Sequence, residues 1–223
     1  MKIQWLGHAA VKLTGAGSVV YIDPSEMPYL GKKARDLMAR PEPADLVLVT
    51  HEHADHCSPE IIARLKKTGT TIVAPGSCRA TLGPHFHEVH PGDTATFGSV
   101  QVRAVEAYNV VRHHSPGTPF HPRETGVGYI VTIDGHSIYH AGDTEPIPEM
   151  ERYGPVDVAL LPVDNHYTMS AAEALQSATL VGAGVVIPIH FFDTEVQAVL
   201  DAAKAVPGIP VKALSPGETF EIE

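Results

Sequence analysis

The segment His51-Glu52-His53-Ala54-Asp55-His56 follows directly on the apolar run Leu46-Val47-Leu48-Val49-Thr50, and this junction constrains the chain more than any other feature. A short continuous apolar run reads as a strand buried on both faces. The turn after it gathers imidazoles and a carboxylate, which are donors suited to zinc and related divalent ions. Four such side chains in so short a stretch exceed what capping a turn requires. In an extended segment residues two apart project to the same side, so His51 and His53 are expected to face one ion. Asp55 and His56 lie further along the turn and suit a second ion, at the roughly 3.5 to 4 Å separation of two-metal hydrolytic sites.

The flanking pattern predicts the frame that carries this turn. Segments Ile3 to Leu6, Ala10 to Leu13 and Val19 to Asp23, each bounded by Gly, Pro or Asp, predict a meander of strands. Tyr29 to Ala39 reads as a helix closed by Pro41 and Pro43. Ser58-Pro59-Glu60 is a helix start, with a serine cap, proline at the first helical position and an acid in the first turn. Thr71 to Ala74, Ala95 to Phe97 and Val100 to Ala107 read as further strands. Residues 108 to 125, rich in His and Pro, lack either periodicity and predict a long loop beside the site. Gly128 to Asp134 and Ser137 to His140 form a hairpin about Asp134-Gly135. Then follow strand Val156 to Val163, helix Ala171 to Val181, strand Val185 to Ile189, helix Thr194 to Ala205, and strands Val211 to Leu214 and Thr219 to Ile222. Two β-rich halves, each with helices for one outer face, predict an α/β (α+β) four-layer αββα sandwich.

Composition narrows the function classes. A chain of 223 residues with 43% hydrophobic content can close one core, so residues 1–223 are expected to form a single domain. A net charge of -10 with only 16 Lys and Arg disfavours nucleic acid and anionic membranes as partners. Cys57 and Cys78 are too few for a disulfide framework, and no run approaches the ~20 apolar residues of a membrane span. The start lacks the apolar stretch of a signal peptide, so a cytoplasmic location is expected. Fourteen histidines cluster near predicted strand ends, a distribution that favours metal binding. No Gly-x-Ser-x-Gly elbow accompanies Ser115 or Ser170, which argues against a serine triad. Oligomeric state cannot be read from this pattern.

His-x-His-x-Asp-His after a buried strand resembles the signature of the metallo-β-lactamase superfamily. Trp5-Leu6-Gly7-His8, Tyr21-Ile22-Asp23-Pro24, Tyr139-His140-Ala141-Gly142-Asp143-Thr144, Tyr167-Thr168-Met169 and Ile187-Pro188-Ile189-His190 are similar to motifs of its lactonase-like, metal-dependent hydrolase branch. The resemblance implies the αββα sandwich, with metals at one edge of the two sheets. It further implies that His51 and His53 bind a first metal, that Asp55, His56 and His190 bind a second, and that Asp143 bridges them. The family usually supplies a third histidine to the first metal from an Ala-aromatic-His context, where this chain reads Ala107-Tyr108-Asn109. Asn109 is therefore a weaker candidate ligand, and His121 ranks above His113 and His114 as a substitute. His8 and His166, the latter with Thr168, are secondary candidates for metal or substrate contact. Asp23 is expected to accept an imidazole hydrogen bond and fix the ring's orientation.

The expected function is a metal-dependent hydrolase that uses a metal-bound hydroxide on an ester, lactone, phosphoester or amide of a small molecule, with Asp55 and Asp143 in the catalytic roles. Two divalent ions are expected, zinc foremost, with manganese or iron as alternatives. The competing readings are an iron-dependent redox enzyme on the same fold and a metal-stabilised, non-catalytic binding protein.

Overall fold

A computed structural model of the chain describes residues 1–25, 32–191, 195–204 and 208–223. In the first sheet β1 (Lys2–Gly7), β2 (Ala10–Gly15) and β3 (Ser18–Ile22) form an antiparallel meander, and β4 (Leu46–Leu48), β5 (Thr71–Ala74) and β6 (His87–Glu88) continue parallel to β3. In the second, β7 (Thr94–Phe97), β8 (Val100–Ala107), β11 (Gly126–Ile133) and β12 (His136–His140) are antiparallel neighbours, and β13 (Val156–Pro162) and β14 (Ala183–Ile189) run parallel to β12. The last strand, β15 (Thr219–Glu221), returns to pair antiparallel with β1.

Period-two alternation sorts the side chains between layers. Val20 and Ile22 of β3, Leu46 and Leu48 of β4, Val158 and Leu160 of β13 and Ile187 and Ile189 of β14 join one buried cluster between the sheets. Their neighbours turn outward. Tyr21, Val47 and Val49 pack with Met38 of α1 (Lys32–Ala39) and with Ile61, Ile62 and Leu65 of α2 (Pro59–Leu65), while Ala159, Leu161 and Val186 pack with Ala174 and Ala178 of α4 (Ala171–Leu180) and Val199 of α5 (Glu195–Ala203). The result is the predicted αββα sandwich. A short α3 (Arg79–Leu82) follows β5.

Local signals act as their chemistry dictates. Ser58 caps α2 by accepting from Ile61 N at 3.4 Å, with Pro59 opening the helix. Ser170 and Glu173 form a reciprocal capping box at the start of α4. Two expectations need correction. Residues 108–125 contain a small exposed hairpin, β9 (His113–Ser115) with β10 (Thr118–Pro119), turning at Gly117. Val211–Leu214 is not a strand. Val211 makes one isolated bridge to Val186, and Pro210 supplies a carbonyl there but has no N–H with which to extend the ladder. Residues 29–31 of the first predicted helix, and Thr194 and Ala205 of the last, lie outside the described residues. Among the described residues no helix is long and apolar enough to cross a membrane.

Candidate metal centre

Strands β1, β3 and β4 of the first sheet share one direction, as do β8, β12, β13 and β14 of the second. The C-terminal tips of these strands deliver His8, Asp23, His51, Asn109, Asp143, Asp164 and His190. Backbone bonds lock the two sheets together at this edge. His190 N donates to His8 O at 2.9 Å, and Val127 N to Thr50 O at 2.9 Å. The histidine segment is the turn expected, with His56 N and Cys57 N both donating to His53 O, but the chain already bends at His51, where an extended stretch through His53 was expected. The turn still brings His51 Nε2 within 3.1 Å of His53 Nδ1.

Gly142 aims Asp143. Its φ is +63°, and a β-carbon there would lie 2.9 Å from Val127 O and 3.1 Å from Thr50 Cβ. Three other residues of this edge, His8, Asp23 and His190, also hold positive φ, at 52°, 48° and 50°, although none is glycine.

Acceptors outside the cluster fix the rings. Thr50 Oγ1 donates to Asp23 Oδ2 at 2.7 Å, which leaves its lone pairs for His51 Nδ1 at 3.0 Å. His56 Nδ1 lies 2.7 Å from Asp23 Oδ2, His190 Nδ1 lies 2.9 Å from Asp164 Oδ2, and His121 Nδ1 lies 2.7 Å from Asn109 Oδ1. With Nδ1 of His51, His56 and His121 committed outward as donor and that of His190 facing the Asp164 carboxylate, each of these four rings turns Nε2 toward the centre. His190 Nε2, His121 Nε2 and His56 Nε2 come within 3.1, 3.3 and 3.4 Å of Asp143 carboxylate oxygens. His8 Nε2 is 2.9 Å from Asp55 Oδ2, which also faces His190 and His56.

Burial and charge divide the histidines into two kinds. Burial holds His51 well below its usual pKa, and burial with the nearby His190 lowers His8 to about 4, so both are neutral. For His56 burial opposes the charge, but Asp143 and Asp23 outweigh it and raise the ring to about 10. His190 is raised well above 6.5 against the same opposition, by Asp143, Asp164 and Asp55. Asp143 and Asp55 stay ionised despite burial because imidazoles surround them. Without a cation, protons on His56 and His190 balance the buried carboxylates.

The donor set fits a metal. Nitrogen and oxygen atoms of His8, Asp55, His56 and His190 lie within 4.8 Å of one another, as do those of His51, His53 and His121, and those of His51, His56 and Asp143. His56 Nε2 and Asp143 Oδ1 are fully buried yet make no hydrogen bond of good geometry among the described residues. A cation between them would satisfy both.

Of the residues singled out by sequence, His8, His51, His53, Asp55, His56, His121, Asp143 and His190 converge here. Asn109 does not point into the cluster. Its Oδ1 takes the His121 N–H and ring nitrogen, and its Nδ2 donates to Tyr167 O at 2.9 Å, which makes it a support for His121. His166 is exposed, against Phe120 and Tyr167, and Thr168 is buried on Asp164. His113 and His114 lie on the exposed hairpin, and Ser170 serves the α4 cap. Sequence reasoning missed Asp164, although its place after the apolar β13 matches that of Asp143 after β12. It also missed Glu145. Buried and two residues beyond Asp143, Glu145 accepts from Val110 N, Val111 N, Arg112 N and Arg112 Nη1, pinning the loop that carries His121.

Asp164→Asn keeps the bonds from backbone N–H groups of residues 166 to 168 but removes the charge that orients His190. Metal affinity is expected to fall about 10- to 100-fold in a chelator competition, with the thermal transition nearly intact. Unchanged affinity would remove Asp164 from this role.

Comparison with known proteins agrees with the architecture. A family model described as the Beta-lactamase superfamily domain matches residues 2–190. A UPF0173 metal-dependent hydrolase of Pyrococcus furiosus is 35% identical over an alignment of 234 positions, covering 100% of both chains. One of Thermococcus onnurineus is 34% identical over 200, covering 86% of this chain and 84% of its own. A crystal structure from Parabacteroides distasonis superimposes with a TM-score of 0.83 at 33% identity, covering 95% of this chain and 91% of the other. Igni18, a metallo hydrolase of Ignicoccus hospitalis, gives 0.78 at 26%, covering 100% and 99%. The chain thus belongs to the beta-lactamase superfamily and, within it, to the UPF0173 family of metal-dependent hydrolases.

Proposed function

We propose that residues 1–223 act as one hydrolase domain whose centre holds two divalent cations, zinc foremost, and cleaves an ester, lactone, phosphoester or amide of a small molecule. His51, His53 and His121 would hold one cation, Asp55, His56 and His190 with His8 alongside would hold the other, and Asp143 would lie between them. The observation that carries this reading is the set of Nδ1 acceptors, Thr50, Asp23, Asp164 and Asn109, which leaves four Nε2 atoms facing one buried carboxylate. Cations bound there supply Lewis acidity and bring the pKa of water down toward neutrality.

The chain's own groups do the rest. Asp143, 3% exposed, is a fixed anion. Asp55 is 25% exposed and ionised, so it is the carboxylate placed to orient a water at the solvent side by accepting its hydrogen bond. His53 lies exposed at the mouth, where substrate enters. Metal analysis of protein purified without added metal, joined to a screen of lactone, ester, phosphoester and amide substrates, tests the reading. It predicts close to two equivalents of a divalent ion and turnover that tracks the metal content. Protein that turns over substrate equally well without metal would overturn it.

A further inference from the structure

A hollow of about 250 Å³ opens beside β8 of the second sheet, and it shares no lining residue with the metal cleft. The turn at Gly92 and the 3₁₀ helix Pro148–Arg152 with Tyr153 complete its lining. Three ionic side chains that line it, Arg103, Glu106 and Arg152, join no ion pair among the described residues. Arg103 is nonetheless held in place. Its Nη2 donates to Arg152 O and Tyr153 O, both at 3.1 Å, while Nε is buried with no hydrogen-bond partner among the described residues. Glu106 is held as well, its Oε2 accepting from Tyr153 Oη at 3.0 Å. Glu149, the other carboxylate of the lining, is already engaged by Tyr108 Oη and Arg123.

Opposite charges within reach of each other on a protein surface commonly close into a hydrogen-bonded pair. Here the two backbone carbonyls restrain one guanidinium and the Tyr153 hydroxyl restrains the carboxylate, so both signs of charge face the same hollow without meeting. A buried donor without a partner, such as Arg103 Nε, is rare in a folded chain and calls for an explanation. A simple anion would meet Glu106 along with the arginines, and a simple cation would meet the arginines along with Glu106. A ligand that carries both charges complements the lining in full. The volume lies below the ~300–1,000 Å³ of sites for drug-sized molecules, which sets the scale at a single amino acid.

We infer that this hollow is a second binding site, for a zwitterion of amino-acid size whose carboxylate meets the guanidinium groups of Arg103 and Arg152 and whose ammonium meets Glu106. The site is separate from the metal centre and does not depend on the hydrolase reading.

Glycine, L-threonine, L-leucine and L-phenylalanine, titrated calorimetrically into the metal-loaded protein, are the probes, each beside its des-amino and decarboxylated analogues. For leucine these are isocaproate and isopentylamine. At least one amino acid is expected to bind, with both of its analogues at least about tenfold weaker, the loss that follows removal of a charged hydrogen-bonding group. Arg152→Gln, at an exposed position, should weaken that amino acid about two- to fivefold. Glu106→Gln keeps an acceptor for Tyr153 Oη and discards the charge, so the amino acid should then bind no better than its des-amino analogue. Arg103→Lys, with folding checked by its thermal transition, should cost at least about fivefold, since an ammonium does not reproduce the guanidinium fork. Absence of binding by all four probes would overturn the inference, as would an analogue that binds as tightly as its parent. Affinity indifferent to R152Q and E106Q would overturn it too, by placing the ligand on the metal instead.

Discussion

Asp143→Ala is expected to lower hydrolysis by at least about a thousandfold, the upper end of what loss of one fixed electrostatic group produces in other sites, and to strip the centre of metal. This carboxylate is the point on which three Nε2 atoms, from His56, His121 and His190, converge within 3.4 Å. Its loss removes the anion shared by the Nε2 sides of His56 and His190, leaving Asp23 and Asp164 on their Nδ1 sides, so the alanine variant should also unfold more readily. Asp143→Asn keeps the volume and discards the charge. It should fold, as judged by its circular dichroism spectrum and thermal transition, yet bind metal poorly and turn over little. An asparagine variant with more than about a tenth of native kcat/KM would be incompatible with Asp143 lying between two cations.

Removal of metal should abolish turnover and lower the thermal transition, because ligation stabilises only the folded chain. The pH dependence follows from the rings. His56, raised to about 10, and His190, also raised, carry protons at neutral pH when no cation is present, and ligation requires their lone pairs. Metal uptake must therefore release protons, and apparent affinity should climb by about tenfold per pH unit for each proton displaced between neutrality and pH 10. In the metal-free chain the raised His56 acts in the opposite sense. Its contribution to stability is complete below about 6.5 and is lost as pH rises through about 10. Calorimetry in two buffers of different ionisation enthalpy measures the protons released. A buffer-independent heat would show that these rings are neutral before the metal arrives.

Legibility from sequence followed the range of the signal. The αββα frame was readable because each strand is a local apolar run bounded by turn residues, as Val19 to Ile22 is by Gly17 and Asp23 in β3. The turn from His51 to His56 was equally plain, since its donors are adjacent in the chain. Asp164 was hidden because nothing beside it in sequence announces His190, which lies across the sheet on β14. Asn109 was misjudged for a related reason. The alignment of contexts suggested a ligand, whereas the loop returns His121 to the cluster and leaves the amide to hold it. The β9–β10 hairpin is exposed and has no core-facing period to read.

The left-handed backbone at His8 and His190 bears on how this protein can evolve. An L-amino acid held at such torsions stores about 1–3 kcal/mol of conformational tension, which glycine would release. Mutational drift toward a hardier scaffold thus pulls against retention of these imidazoles. Descendants that lost the chemistry would be free to relax at both positions, and glycine there would mark a retired enzyme.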